Sequence, residues 1–350
     1  GSGSRACPGT ALRLPRAGFV VSWPQFNAAG TTRLQTLFNV FCMTLFSLIL
    51  ALLLEQFRSL PSTGFFASTL RRVAESGARR FNDGTAASGR FAWLLVVVPA
   101  TVAAAFGFWL LWEMHPALAF LFNVAVLYLC MGFRQDSRAF TEIHLALRMG
   151  ELDRARQLLG AWRGADHSEA QAGEVARLAI ERALVSSHRT IFGVVFWFVV
   201  LPGPSGALMY RLARQLAEAW GGRQDAEGAA FGRFARRAFE AIEWLPTRIT
   251  ATVFSVMGNF EDAVYCWRSQ AVLWPERSSA ILIASGGGAM GVRLGMPVHE
   301  SGSIVDRPEM GLGDEAGVDH MQSTVGLIWR AFLVCLFLLV LLAAAGWVGR

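Results

Sequence analysis

Apolar residues along this chain gather into long runs, and the runs predict helices of two kinds. Positions 37–54, 91–112 and 117–133 hold no charged residue, and 325–348 holds only Arg330, near its start. A bilayer asks for about 20 apolar residues per crossing helix, and an arginine near the end of a span can reach the headgroups. These four runs therefore predict spans in an all-α, polytopic integral membrane protein in contact with lipid.

Between 134 and 190 the pattern turns amphipathic. Phe140, Ile143, Leu147, Leu152, Leu158 and Leu159 recur at roughly helical spacing with arginines and acids between them. Gly150 divides this stretch into two helices, and a third over 174–187 leads to Ile191. With nine Arg against eight acids, the segment predicts a solvated, cytoplasmic helical surface. The run IFGVVFWFVVL at 191–201 is apolar but too short to cross alone, and Pro202, Gly203, Pro204 and Gly206 interrupt its continuation into Tyr210. It predicts a re-entrant or interfacial element near 191–210, and 278–297 predicts a second one; irregular backbone at membrane depth is tolerated where protein covers it. Residues 1–42 begin GSGS, contain three prolines and lead to Met43. They read as a non-native or disordered extension ahead of a membrane domain at 43–350, with Met43 as the natural start.

Composition sharpens this picture. The chain is 53% hydrophobic and 17% charged, against about 25% charged in a soluble domain. All 32 basic residues are Arg. Without lysine, neither Schiff-base chemistry nor a Walker-type phosphate loop is available. The net charge of +6 does not point to nucleic acid, because the arginines flank apolar runs. Six fall between 55 and 90, none in the turn 113–116, and nine between 134 and 190. The positive-inside rule then puts the first loop and the middle segment in the cytoplasm and both chain ends outside. The five cysteines show no metal-ligand spacing, so neither a zinc site nor a disulfide framework is expected.

Two stretches carry candidate chemistry. GGGAMG at 286–291 fits G-x-G-x-x-G, but a dinucleotide fold needs a strand before it and a helix after it, and Gly295 and Pro297 stop any such helix. Close helix packing through small residues, or a backbone-lined anion site beside Arg293, are the readings left. Asp306, Glu309, Asp314, Glu315 and Asp319 precede the last span; they form either a solvated loop or a Mg²⁺–phosphate site using one or two carboxylates. The six histidines are scattered, and no two stand three or four residues apart.

Four blocks together resemble the CobD/CbiB family of cobalamin-biosynthesis membrane proteins, and also its relative AmpE. LALRMGELDRAR (145–156) is similar to the family's AL-x-x-GDL-x-x-AR. FWFVVLPGPSGALMYR (196–211) looks like LFW…GP-x-GA-x-x-YR. EWLPTRITA (243–251) looks like N-x-x-PARLTA, and GGGAMGVRLGMP with RPEMGLGDE (286–297, 307–315) is similar to AGALGVRLGGP…RP-x-LG-x-G. The chain departs from the family where AEN-x-x-DG-x-x-APLFW becomes SSHRTIFGVVFW, at 186–197.

The resemblance implies a bacterial inner-membrane protein that forms an amide on a corrinoid, in the manner of adenosylcobinamide-phosphate synthase, with ATP and Mg²⁺ driving carboxylate activation. It implies Tyr210, Arg211, Arg248, Gly288, Gly291, Arg293 and Arg307 as the substrate- and phosphate-binding set, and Asp306 and Asp314 as metal ligands. The alternative it leaves open is a non-catalytic AmpE-like sensor with the same fold. Either could form a homo-oligomer.

Overall fold

The computed structural model describes Gly1 and residues 43–55, 65–81, 83, 85–222 and 226–348. Helices dominate, as the apolar runs predict. α1 (Met43–Glu55) is a short apolar helix, the described part of the first predicted span; positions 37–42 of that span, and the rest of the N-terminal extension apart from Gly1, lie outside the described residues. α2 (Phe65–Phe81) leads to the long apolar α3 (Ala86–Met114) and α4 (Pro116–Cys130). The hairpin between them turns on His115. Its Nδ1 accepts the Ala117 N–H at 3.1 Å, and Pro116 sits in the first turn, where a missing N–H costs no helical bond.

The two amphipathic helices appear as α5 (Phe133–Arg148) and α6 (Leu152–Arg163). Gly150 joins them at φ +77°, a left-handed conformation that glycine reaches without a Cβ clash.

The chain then differs from the sequence pattern, which divides at residue 190. α7 (Ala172–Ser187), a π-helical turn (His188–Phe192) and α8 (Gly193–Val200) run on without a break. The resulting helix, Ala172–Val200, is long and apolar enough to cross a membrane, and 67% of its most apolar window is buried inside the protein. Its charged residues are inward-facing, so it is less apolar than a lipid-facing span while being more enclosed. Among the described residues, Ala86–Met114, Pro116–Arg148 and Val318–Ala345 share this span-like length and composition.

α9 (Ser205–Gly221), α10 (Ala226–Met257), α11 (Phe260–Ser269) and α12 (Arg277–Met290) follow. Four short strands lie between α12 and the last helix. β1 (Val292–Arg293) pairs in parallel with β4 (Asp314–Glu315), and β2 (Val298–Glu300) antiparallel with β3 (Ser303–Val305). α13 (Val318–Val348) closes the described chain.

The buried apolar residues form two cores. One gathers α5, α6, α7, α11, α12 and the start of α13; the other gathers α1, α3, α4, the π-turn, α8, α9 and the first half of α10. The π-turn contributes Phe192 to the first core and Ile191 to the second, so the joint between the cores falls where the helix is irregular. The glycine run serves packing. A Cβ on Gly288 would stand 2.7 Å from Ala263 Cα and 2.7 Å from Asp262 O, so α11 and α12 touch backbone to backbone. Gly291, at φ +68°, ends α12 by donating its N–H to Gly287 O and Gly288 O.

Candidate functional site

A polar cavity of ≈ 240 Å³ opens between α6, α7, the π-turn, α12 and the loop after β3. Arg163, Arg182, Arg189 and Arg307 line it, with Glu181, Glu276, Ser279 and Trp274. Four guanidiniums therefore face two carboxylates.

Glu181 organises one wall. Its side chain is 3% exposed. It accepts Arg307 Nη1–H and Nη2–H at 3.0 Å each, and the Gly295 N–H at 2.9 Å. Two parallel charge-assisted bonds of this kind fix orientation as well as charge. Arg307 also donates to Gly295 O at 3.2 Å and Met296 O at 3.3 Å, and its guanidinium lies 5.0 Å from the Trp274 ring centre. Arg307 is thus fully engaged by the protein. Arg163 Nη1 stands 4.0 Å from the same carboxylate, and burial pulls its pKa down against the opposing pull of Glu181.

The opposite wall is built by the π-turn. Its extra residue per turn lets His188 and Arg189 both face inward, and such turns recur at functional sites. Arg189 Nε donates to Glu243 Oε1 at 2.9 Å, and its Nη2 bonds Glu276 and Ser279. Glu243 is buried and lies 3.7 Å from His188 Nε2. His188 Nδ1 is 2.9 Å from Thr250 Oγ1, and its Nε2 is 3.3 Å from Thr247 Oγ1. Tyr210 donates to Glu243 Oε1 at 3.4 Å. Burial first, and then the neighbouring Glu243, hold its hydroxyl well above the usual phenol pKa, so it stays protonated.

Arg182 stands apart from this arrangement. Among the described residues its guanidinium has no hydrogen bond or ion pair, and its Nε is buried without a partner. Its guanidinium lies 6.0 Å from the Trp162 ring centre. A buried polar group without a partner is rare in native structures and asks for an explanation, such as a ligand. An anion of one or two charges would complete this cavity.

The residues singled out from the sequence are dispersed. Arg307 lines the cavity and Tyr210 reaches it through Glu243. Arg211, on α9, has a buried Nε with no hydrogen-bond partner, and burial, followed by the nearby Arg214, lowers its pKa. Arg248 lies over the Trp244 ring at 4.0 Å and donates to Trp244 O at 2.8 Å, away from the cavity. Arg293 faces Glu309 at 3.8 Å and Glu315 at 3.6 Å. Gly288 and Gly291 serve packing and capping. Asp306 and Asp314 are exposed, and no group of three His, Cys, Asp or Glu side chains converges among the described residues.

Arg163, Glu181, Arg182, Arg189, Glu243 and Glu276 escaped the sequence reading. The signal for two of them was present: Glu181 and Arg182 interrupt an apolar stretch, LAIERALV, at 178–185.

The family model described as CobD/Cbib protein matches residues 37–328, most of the chain. The chain belongs to the CobD/CbiB family. It is 32% identical over 305 residues to cobalamin biosynthesis protein CobD of Stutzerimonas stutzeri, covering 86% of this chain and 97% of that protein. The CobD of Chromobacterium violaceum is 33% identical over 261 residues, 75% of this chain and 81% of its own. Cobalamin biosynthesis protein CbiB of Salmonella typhimurium is 26% identical over 275 residues, 75% of this chain and 84% of its own. No solved structure matches. These relatives carry CobD and CbiB names, and none of them supports the AmpE-like alternative.

Proposed function

We propose that this CobD/CbiB-family protein acts in cobalamin biosynthesis at the bacterial inner membrane. In this reading it joins a corrinoid carboxylate to an amino alcohol, or to its phosphate, through an amide bond. The relatives' names support the pathway. The step within it is supported chiefly by Arg182, an unpartnered guanidinium lining a cavity whose arginines outnumber the two lining carboxylates and the Glu243 that pairs with Arg189. Such a cavity suits a phosphate-bearing reactant.

In this arrangement Arg182 and Arg163 take the anionic group, while Glu181, Arg307 and Gly295 hold the wall in place. Arg189 is fixed and neutralised by Glu243 and Glu276 and shapes the wall rather than supplying free charge. Withdrawal from water strengthens every such contact. ATP would supply the activation of the carboxylate. Asp306 and Asp314 are exposed and, among the described residues, belong to no group of three such ligands, so they suit a Mg²⁺ that arrives with nucleotide phosphates and takes one or two carboxylates.

The test uses the purified full-length protein with adenosylcobyric acid, an aminopropanol phosphate and Mg-ATP, with the corrinoid products separated chromatographically. The expected product is the corrinoid amide, and Arg182→Met lowers the rate at least tenfold. A wild-type protein that binds neither corrinoid nor nucleotide, from a strain whose deletion grows equally on cobyric acid and cobinamide, would overturn the proposal.

A further inference from the structure

A second arginine cluster lies at the end of a membrane span, away from the cavity described above. Arg90 on α3 and Arg233 and Arg237 on α10 line a cavity of ≈ 240 Å³, with Ala86, Ala87 and Phe234 completing it. Among the described residues no carboxylate lines it. Among the described residues, none of the three arginines has a hydrogen bond or an ion pair; the nearest arginine on the same helix, Arg236, instead donates to Gly221 O at 3.5 Å.

The placement is built. A Cβ on Gly89 would stand 2.1 Å from Phe231 O, so α3 and α10 meet backbone to backbone one residue before Arg90. Trp93 and Phe234 meet edge to face at 5.7 Å one turn further on. The three guanidiniums are therefore carried by a rigid helix pair.

The depth of the site chooses its ligand. Immediately after Arg90, α3 presents Phe91, Leu94, Leu95 and Val98 outward, all exposed. These are the first turns of a candidate membrane span. A phosphate held by the arginines would sit at headgroup level, and the acyl chains attached to it would run along that apolar face. Three cations with no carboxylate beside them among the described residues offer nothing to a choline or ethanolamine ammonium. Basic pockets between helices at a membrane surface suit anionic headgroups.

We propose that Arg90, Arg233 and Arg237 form a binding site for the headgroup of an anionic phospholipid. The site is separate from the proposed reaction cavity and does not depend on that reading.

The test is native mass spectrometry of the full-length chain in mild detergent, titrated with phosphatidylglycerol or with phosphatidylcholine of the same acyl chains. Phosphatidylglycerol is expected to bind at least tenfold more tightly. Each Arg→Gln substitution at 90, 233 or 237 should weaken it about fivefold, and the triple variant roughly a hundredfold. Arg79→Gln/Arg80→Gln, which removes charge from the end of α2, should leave it unchanged. If the triple variant fails to fold, the single variants decide. Equal binding of the two lipids overturns the proposal, as do single variants that all bind like wild type. Displacement of phosphatidylglycerol by millimolar inorganic phosphate overturns it too, by making the cluster a site for free anions.

Discussion

Removing the Glu181 carboxylate tests whether the cavity wall holds the two sides of the fold together. Glu181→Ala takes away the partner of both Arg307 bonds and of the Gly295 N–H. Arg307, whose side chain is only 12% exposed, is then left charged beside Arg163. Breaking a buried ion pair from one side costs about 3–5 kcal/mol, most of it the unpaired charge that remains. For a chain of this size that is a fall in melting temperature on the order of 10 °C. The control is Glu181→Leu/Arg307→Met, which removes both charges and keeps the volume. Replacing both partners of such a pair is often near neutral, so this variant should recover most of the loss while still lacking the ordered wall. Thermal unfolding in mild detergent, followed by far-ultraviolet circular dichroism, reads all three proteins. If Glu181→Ala melts within about 2 °C of wild type, the pair is not the clamp described above. If the double variant is as unstable as the single one, the cost comes from lost packing and not from charge.

The other outcomes are more local. Gly288→Ala should destabilise by about 1–3 kcal/mol, because the new methyl meets Ala263 and Asp262 backbone atoms rather than a mobile side chain; chemical denaturation in detergent reads it, and an unchanged midpoint contradicts the close helix contact. Arg248→Ala should leave product formation within about twofold of wild type, since the side chain stacks on Trp244 outside the cavity; a tenfold loss would place Arg248 in the site. Cys266 is fully buried, and burial pushes its thiol up to about 11. The thiolate is the reactive form, so maleimide at pH 7 should leave Cys266 unmodified in the folded protein, with labelling rising only as the pH approaches 11 or the chain unfolds; peptide mass mapping would expose rapid labelling at pH 7.

The sequence made the membrane spans legible because hydropathy acts over about twenty positions and tolerates local exceptions. α3, α4 and α13 lie where the long apolar runs place them, and Gly150 divides α5 from α6 as expected. Ala172–Val200 was harder to read, because its hydropathy is interrupted by Glu181, Arg182 and Arg189. Those residues look like a solvated face in one dimension and become a shared polar interior only when α6, α12 and the loop after β3 close over them. The short strands β1 to β4 had no readable signal, since two or three residues cannot show an alternation. Of the site, the sequence yielded Arg307 and Tyr210, which stand inside family-like blocks. Arg182 could not be found that way, because its distinguishing property is a missing partner, and only packing reveals it.

The departure from the family pattern at 186–197 takes on a definite meaning in three dimensions. Counting back from Phe196 and Trp197, the aspartate of the family motif falls on Arg189, and the asparagine on Ser186. Arg189 sits on the π-turn in the cavity wall, so the position that resembles the family's aspartate carries a positive side chain where the two cores meet. An uncompensated buried guanidinium would be costly. Glu243 and Glu276 converge on it from α10 and from the residue before α12. Glu243 also stands at the first position of the EWLPTRITA block, where the family pattern has asparagine. Where the pattern this chain resembles has aspartate and asparagine, this chain has Arg189 and Glu243, which pair at 2.9 Å across the joint. Arg189→Asp alone should then place three carboxylates together and unfold the joint, whereas adding Glu243→Asn removes one of the opposing carboxylates. Recovery of at least half of the lost thermal stability in the double variant is the expected result. Strict additivity of the two substitutions would show that Arg189 and Glu243 do not interact energetically.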